Sequence, residues 1–187
     1  VRHGQTVSNS ERKHQGWQPV ALSEAGIQQA ENIYPILKKQ HFDRIIASDL
    51  LRTKQTAEII FRDRQNKIEY SSALREINTD VIYGKTYDEM LAKYGDVYLR
   101  GRQRLDYSFC GGESAEEFNA RVGSFLKYFE DAYPVQRIAV VTHGGVICSM
   151  LGHMLHMSIE QVAERYSIDN CSISYAIYHS AEWRVEA

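Results

Sequence analysis

Short apolar runs alternate along the chain with longer segments in which apolar residues recur at helical spacing. The residues 43–47 and 138–142 have strand length and contain the apolar runs Ile45-Ile46-Ala47 and Ile138-Ala139-Val140-Val141, typical of strands buried on both faces of a sheet. After Ser23, apolar side chains recur on one face of a predicted helix, and a capping box at Ser114 opens another. Strands that alternate with helices of ten residues or more favour right-handed crossovers between parallel strands. The pattern therefore predicts a three-layer α/β/α sandwich with a mainly parallel central sheet.

Other elements follow from local signals. Ser48 and Asp49 are expected to cap a helix that reaches about Arg64, and the glycines after His143 to bend the chain into a helix through about Leu155. Because Val1 is only the stub of a strand, we expect that the N-terminal strand is truncated and that residues precede it. The remaining predictions are one helix, 86–94, and strands at 68–70, 171–178 and 183–186.

Composition limits the kinds of partner. The chain has 22 Lys and Arg residues against 24 Asp and Glu residues, a formal net charge of −2, so no general field attracts nucleic acid or an anionic membrane. Three cysteines without zinc-type spacing, and no run of eighteen apolar residues, favour a cytoplasmic protein with free thiols. The number of subunits stays open between monomer and homodimer. An anionic ligand would have to be attracted by a local cluster of charges.

Such a cluster is predicted at one edge of the sheet. His3 follows the N-terminal stub, His143 follows the second apolar run, and Arg52 lies in the first turn of the helix after the first run. Ligands of open α/β sheets bind beyond the carboxyl ends of the strands, where the helix start at Gly144 also offers free N–H groups. With Arg2 beside His3, these groups suit a compact dianion, and phosphate matches the bidentate geometry of guanidinium groups.

Five short motifs then carry a resemblance to a known family. They are Arg2-His3-Gly4, Ser48-Asp49-Leu50-Leu51-Arg52-Thr53 with Thr56-Ala57, Leu74-Arg75-Glu76, Gly112-Glu113-Ser114 and Thr142-His143-Gly144-Gly145. In this order and spacing, which extend over nearly the whole chain, the sequence resembles the histidine phosphatase superfamily. That family includes phosphoglycerate mutases and many small-molecule phosphatases. One motif alone would be weak evidence, whereas five in order are specific.

The resemblance implies phosphoryl transfer through a phosphohistidine. His3 would attack phosphorus, and Glu76 would protonate the leaving oxygen and later take a proton from water. The implied catalytic residues are His3, Glu76 and His143; the phosphate-binding residues are Arg2, Asn9, Arg52 and Gly144; and the substrate contacts are Gln15 and Gly16. No metal or cofactor is implied, because the arginines and His143 supply the charge that Mg²⁺ supplies elsewhere. The expected partner is a small-molecule phosphate ester.

The segment after Glu76 departs from the family pattern. Relatives commonly have Gly at the fourth place after the acid and Trp-Glu-Gly at the sixth to eighth, where this chain has Asp80 and Ile82-Tyr83-Gly84. Pro19 stands where many relatives have Asp. We therefore interpret the residues 79–112 as a substrate-pocket insertion within a single domain, 1–187.

A basic run in this insertion suggests a further substrate contact. In an extended segment, the alternating residues Arg100, Arg102 and Arg104 would point the same way and contact a second anionic group on the substrate. The alternative is a solvated basic loop. The histidines outside the motifs are expected to be structural or exposed, namely His14, His41, His153, His156 and His179.

Three functions remain open at this point. The chain is short and reads Arg75-Glu76-Ile77-Asn78-Thr79 where mutases of the family carry Glu-Arg-His-Tyr-Gly, which favours a phosphatase. A cofactor-dependent phosphoglycerate mutase, primed by a bisphosphoglycerate, is the alternative. A phospho-ligand binding protein without activity is a third possibility, although His3, Glu76 and His143 are all intact.

Overall fold

A computed structural model of the chain describes residues 1–133 and 136–186. Its central sheet is parallel and has the strand order β2-β1-β3, with β1 at Arg44–Ser48, β2 at Ile68–Ser71 and β3 at Ile138–Val141. Beside β3, the backbone of Arg2 forms a parallel bridge with Thr142, so the N-terminal segment extends the sheet at the predicted edge. The predicted α/β fold with a mainly parallel sheet is confirmed.

Helices cover both faces of this sheet. Their bounds are α1 Val7–Ser10, α2 Glu24–Lys38, α3 Leu51–Ile60, α4 Tyr87–Tyr94, α5 Asp96–Arg104, α6 Ala115–Ala132, α7 Gly144–Leu155 and α8 Ile159–Arg165. Short 3-10 turns lie at Arg62–Lys67, Ser72–Leu74, Asp80–Ile82 and Ser108–Cys110. No helix within the described ranges is long and apolar enough to cross a lipid bilayer.

The two faces of the sheet have separate hydrophobic cores because successive side chains of a strand point to opposite faces. Ile46 of β1 packs in the core formed with α6 and α7, together with Phe118 and Val146. Its neighbours Ile45 and Ala47 pack in the core on the other face. Burial on both faces explains why the strand sequence is apolar without alternation.

Three predicted element boundaries are wrong. Ser48 ends β1 instead of capping a helix, and the N-cap position of α3 is Leu50, whose side chain makes no capping hydrogen bond. α3 ends at Ile60, and a 3-10 turn follows where the helix was expected to continue to Arg64. Tyr175 begins the strand that was expected from residue 171.

The C-terminal strands form a separate two-stranded sheet. β4 (Tyr175–His179) and β5 (Glu182–Glu186) pair in antiparallel orientation and do not extend the central sheet. Residues 79–112, whose sequence pattern was weakest, contain α4 and α5 joined at Gly95, which has a φ of +54°. The capping boxes at Thr86 and Ser114 open α4 and α6.

Candidate active site

The segment that carries His3 is fixed by contacts with distant parts of the chain. The His3 N–H donates to the Thr142 carbonyl at 2.9 Å, and the Asn170 amide donates to the His3 carbonyl at 2.9 Å. The Gly4 N–H donates to the Thr56 hydroxyl of α3 at 3.0 Å. His3 is therefore held from three sides, and its side chain is only 3% exposed.

The orientation of the His3 ring defines which nitrogen can react. Nδ1 lies 2.7 Å from the Gly4 carbonyl oxygen, which can only accept, so Nδ1 carries the proton. The lone pair is then on Nε2. Burial, followed by the charge of Arg52, lowers the pKa of His3 well below its ordinary value. At neutral pH the ring is uncharged and Nε2 is available as a nucleophile.

His143 lies against His3, with ring centroids 5.2 Å apart, and is fully buried. Its Nε2 is 2.9 Å from the Ser48 hydroxyl, which also accepts the Leu50 N–H at 3.4 Å. The hydroxyl has one hydrogen of its own and can donate it to Nε2; in that arrangement the proton of the neutral ring is on Nδ1. Burial, with the Arg52 charge second, lowers the pKa of His143 well below its ordinary value.

Three buried polar atoms of the predicted site have no hydrogen-bond partner in the described part of the chain: Arg2 Nε, Arg52 Nε and His143 Nδ1. Other nitrogens of these two guanidinium groups donate to backbone carbonyl oxygens. Arg52 donates to the carbonyl oxygens of Gly16 and Gln18, and Arg2 donates to that of Ile168. Burial lowers the pKa of Arg52 to about 10 although Glu76 opposes the shift, so this guanidinium remains charged at neutral pH.

α1 and the loop that follows it contribute the remaining predicted contacts. Asn9 is the third residue of α1, where its amide oxygen accepts the Thr6 N–H at 3.1 Å, so its NH₂ is the group left for an anion. Gln15 Oε1 accepts from the Thr6 hydroxyl at 2.9 Å. Gly16 has a φ of +52°, and a methyl group there would lie 2.1 Å from the Asp80 carboxylate. Only glycine fits this approach.

Glu76 is held by two backbone N–H groups. Its Oε1 accepts from the Ile77 N–H at 3.0 Å, and its Oε2 accepts from the Gly145 N–H in the first turn of α7 at 3.1 Å. A methyl group at Gly145 would lie 2.4 Å from Oε1, so the acid and α7 are in close contact. The Glu76 carboxylate is thus held in part by α7, the helix that begins directly after His143.

The segment that carries Glu76 is clamped by Arg121 of α6, which sequence reasoning missed. Arg121 donates to the carbonyl oxygens of Ala73 and Arg75 at 3.0 and 2.8 Å, and its guanidinium pairs with Glu113. Glu113 in turn accepts the Asn78 N–H. The sequence marks Arg121 only by its position, about two helical turns after Ser114 of the Gly112-Glu113-Ser114 motif.

The family departure at Asp80 has a structural role. Its carboxylate accepts the Trp17 N–H at 2.7 Å, and the Trp17 indole donates to the Glu76 carbonyl at 2.7 Å. Asp80 therefore ties the loop of Gly16 to the segment of the acid.

Most predicted residues meet around one cavity of about 360 Å³. Its lining includes Arg2, His3, Asn9, Gln15, Gly16, Arg52, Glu76 and Arg102. His143 is fully buried and is not part of this lining, but its ring contacts that of His3, which is. Gly144 lines an adjacent cavity of about 540 Å³ with Cys148 and residues 163–169. Among the described residues, no group of three or more His, Cys, Asp or Glu side chains is placed to share a metal ion.

The conformation predicted for the basic run is wrong. Arg100, Arg102 and Arg104 lie in helix α5, not in an extended segment or a loop, so they do not point the same way. Arg102 lines the cavity, whereas Arg100 does not, and Arg104 pairs with Glu160 of α8 at 3.3 Å. Residues two apart on a helix face different directions, which separates Arg102 from the other two.

His14 was set aside from the site, yet it lines the cavity. It is 6% exposed, its Nε2 lies 3.0 Å from the Tyr98 hydroxyl, and its ring contacts those of Tyr87 and Tyr107. Burial, followed by the charge of Arg102, lowers the pKa of His14 to about 4. The expectation that it is structural agrees with these contacts, but its place in the cavity wall was not foreseen.

Comparisons with known proteins agree over the whole chain. The family model of the histidine phosphatase superfamily (branch 1) matches residues 1–187. The probable phosphoglycerate mutase GpmB of Shigella boydii serotype 18 is 33% identical over 185 residues, which are 98% of this chain and 85% of that protein. The structure of Bacillus stearothermophilus YhfR has a TM-score of 0.90 at 26% identity and covers 99% of this chain and 92% of its own. A mycobacterial glucosyl-3-phosphoglycerate phosphatase has a TM-score of 0.84 at 27% identity, over 99% of this chain and 94% of its own.

Proposed function

The chain belongs to the histidine phosphatase superfamily, whose members are phosphatases or phosphoglycerate mutase-like phosphotransferases, and we propose that it is a phosphomonoester hydrolase that forms a phosphohistidine. Its substrate is a small phosphorylated metabolite, and the reaction uses no metal. The observation that supports this most is the set of buried, unpartnered nitrogens on Arg2, Arg52 and His143. Buried donors normally have partners, and a phosphoryl group beside His3 would supply acceptors for all three.

In the first step, Nε2 of His3 attacks phosphorus and the bond between phosphorus and the ester oxygen breaks. Glu76, in its protonated form, donates its proton to the departing oxygen, so the alcohol leaves neutral. Arg2, Arg52 and Nδ1–H of His143 bind the equatorial oxygens, where negative charge redistributes in the loose transition state. The Gly4 carbonyl keeps Nδ1 of His3 protonated, which directs the reaction to Nε2.

In the second step, water attacks the phosphohistidine and the bond between phosphorus and Nε2 breaks. The Glu76 carboxylate takes the proton of the water, which returns the acid to its starting state. Both steps use the same carboxylate, so its position relative to His3 limits the whole cycle.

A phosphoglycerate mutase is the second candidate, because the curated relative described above carries the name of a probable mutase. A mutase would return the phosphoryl group to phosphoglycerate and would need a bisphosphoglycerate to prime His3. Release of inorganic phosphate without exchange between 2- and 3-phosphoglycerate supports the hydrolase. Rapid exchange that depends on a bisphosphoglycerate would show the mutase instead.

The first test is phosphate release from a panel of phosphomonoesters with EDTA present, comparing wild type with His3→Ala. A matched control is His41→Ala, since His41 is exposed and contacts only Asp43 in the described residues. We expect turnover in wild type and the control, none in His3→Ala, and an acid-labile, alkali-stable phosphoenzyme only where His3 is present. Turnover that survives in His3→Ala would refute the phosphohistidine, and binding without turnover in wild type would indicate a non-catalytic protein.

A further inference from the structure

The charges that line the cavity exceed what one phosphate group needs. Four cationic side chains line it, namely Arg2, Arg52, Lys13 and Arg102, against the single carboxylate of Glu76 among the described lining residues. Arg2 and Arg52 flank His3 and act electrostatically on it. Lys13 shares its charge with Glu11 at 2.7 Å. Arg102 therefore brings a positive charge to the cavity that the phosphate site does not use.

Arg102 differs from the other arginines of α5 in its surroundings. Like Arg100, it has no carboxylate partner in the described ranges, but its guanidinium lies over the Tyr87 ring, 4.7 Å from the centroid. Stacking on an aromatic face restricts the direction of the guanidinium while leaving its N–H groups free. Its imidazole neighbour, His14, is neutral at pH 7 because burial lowers its pKa, so it adds no competing positive charge.

Tyr107 contributes a second polar group to the wall of this cavity. Tyr107 lines the cavity, is 4% exposed, and its hydroxyl makes no hydrogen bond within the described part of the chain. Tyr107 shares this wall with Arg102 and Glu76, which both line the same cavity. Burial raises the pKa of Tyr107 well above its usual value, so the group is a hydrogen-bond donor at neutral pH.

We propose that Arg102 and Tyr107 form a second anion subsite for the leaving group, so that the substrate is a phosphomonoester whose alcohol carries its own negative charge. This inference rests on the proposed function, because it uses the phosphate position at His3. The anionic group is a carboxylate or a second phosphate, which share the acceptor chemistry that a guanidinium and a hydroxyl recognise. The cavity of about 360 Å³ is at the small end of ligand pockets, which favours a compact leaving group.

The test uses two pairs of esters, and the members of each pair differ in one anionic group. 3-Phosphoglycerate and glycerol 3-phosphate differ in a carboxylate, and fructose 1,6-bisphosphate and fructose 6-phosphate differ in a second phosphate. Dissociation constants are measured calorimetrically in the His3→Ala background, where hydrolysis does not interfere, and kcat/KM is measured with His3 intact. The variants are Arg102→Gln and Tyr107→Phe, with Arg100→Gln as the control from the same helix outside the cavity.

In at least one pair, we expect the ester with the second anionic group to bind about tenfold or more tightly than the ester without it, here called the neutral member because its alcohol part is uncharged. Arg102→Gln should remove most of that preference and change the neutral ester less than twofold, Tyr107→Phe should remove part of it, and Arg100→Gln should leave it intact. The carboxylate pair or the bisphosphate pair, whichever responds, identifies the anion.

Two results would overturn the subsite: equal binding of the charged and neutral members, or an equal loss of preference in Arg100→Gln, which would indicate a general field. Because binding is measured without turnover, failure of the proposed hydrolysis appears separately, as a charge preference in an inactive enzyme. Tyr107→Phe keeps the aromatic ring in the wall, and Arg102→Gln alone still decides the question if that variant does not fold.

Discussion

Substitution of Gly145 by alanine tests whether Glu76 is positioned by α7. The new methyl group would lie 2.4 Å from Glu76 Oε1 and 3.2 Å from Leu105 Cδ1. An ordinary contact needs 3.4 Å, so the carboxylate must move by about 1 Å, the difference between the two distances. Because the carboxylate is the end of a flexible side chain, it moves in preference to the helix backbone. A displacement of about 1 Å in a catalytic group typically costs about 10²-fold in rate.

The assay compares an alkyl phosphate with p-nitrophenyl phosphate in stopped flow. The alkyl ester needs Glu76 as an acid in the first step, so Gly145→Ala should lower its kcat about 10²-fold without a burst. p-Nitrophenolate leaves without protonation, so the variant should release one equivalent per enzyme in a burst before the slow hydrolysis that needs Glu76 as a base. Glu76→Gln is the reference and should behave in the same direction with a larger loss.

Stability is the control for Gly145→Ala. Alanine is the better helix former by up to about 1 kcal/mol, which offsets strain at Leu105, so Tm should change by less than about 4 °C. The reasoning would be refuted by alkyl phosphate turnover within threefold of wild type. It would also fail if p-nitrophenyl phosphate lost its burst, because the damage would then lie at His3 or the phosphate site.

Three further predictions concern the groups behind the site. Arg121→Met should lower the free energy of unfolding by roughly 2–3 kcal/mol in urea titrations, since partly buried hydrogen bonds to carbonyls and to Glu113 are lost. It should also reduce kcat more than it changes KM; unchanged kcat would contradict its role in holding Glu76. Ser48→Ala leaves Nε2 of His143 buried without its donor, so unfolding should become easier by about 1–3 kcal/mol and kcat should fall about tenfold; a stability equal to wild type would contradict the hydrogen bond. The pKa values of His3, His143 and His14 are lowered in the folded protein, so as pH decreases these histidines take up protons in the unfolded chain before they do so in the folded one. The free energy of unfolding should therefore be highest above about pH 6.5 and should fall below it, by roughly 1.4 kcal/mol per pH unit for each histidine. A urea midpoint that does not change between pH 7 and 5.5 would contradict this.

The helices and strands that have a local signal, an apolar run or a capping box, could be predicted from the sequence. The apolar runs of β1 and β3 and the capping box before α6 each determine an element locally, and the parallel order then brings His3, Arg52 and His143 to one edge of the sheet. The resemblance added Glu76, which no local pattern distinguishes from a surface carboxylate.

The parts that were missed depend on contacts between distant segments. Ser48 was interpreted as a cap because serine often precedes helices, but its hydroxyl is used by His143, 95 residues later. Arg121 meets the segment of Glu76 only when α6 packs against it. For Arg100 and Arg102, an extended segment was expected where the chain is helical. Residues two apart on a helix face different directions, so the helical repeat decides that Arg102, and not Arg100, lines the cavity.

The contacts that fix His3, the proposed nucleophile, also determine when the proposed active site can form during synthesis. Arg2 bonds to the carbonyl of Ile168, and His3 receives a hydrogen bond from Asn170, across separations of 166 and 167 residues. At about 5–20 residues per second, the ribosome adds Asn170 roughly 8–33 s after His3. Pairing across such a distance also carries the loop-closure entropy that slows the folding of chains with high contact order. His3 thus leaves the ribosome early but is among the last residues to be held in place. A nascent chain that ends before Asn170 contains His3 without the hydrogen bond from Asn170 that fixes its backbone.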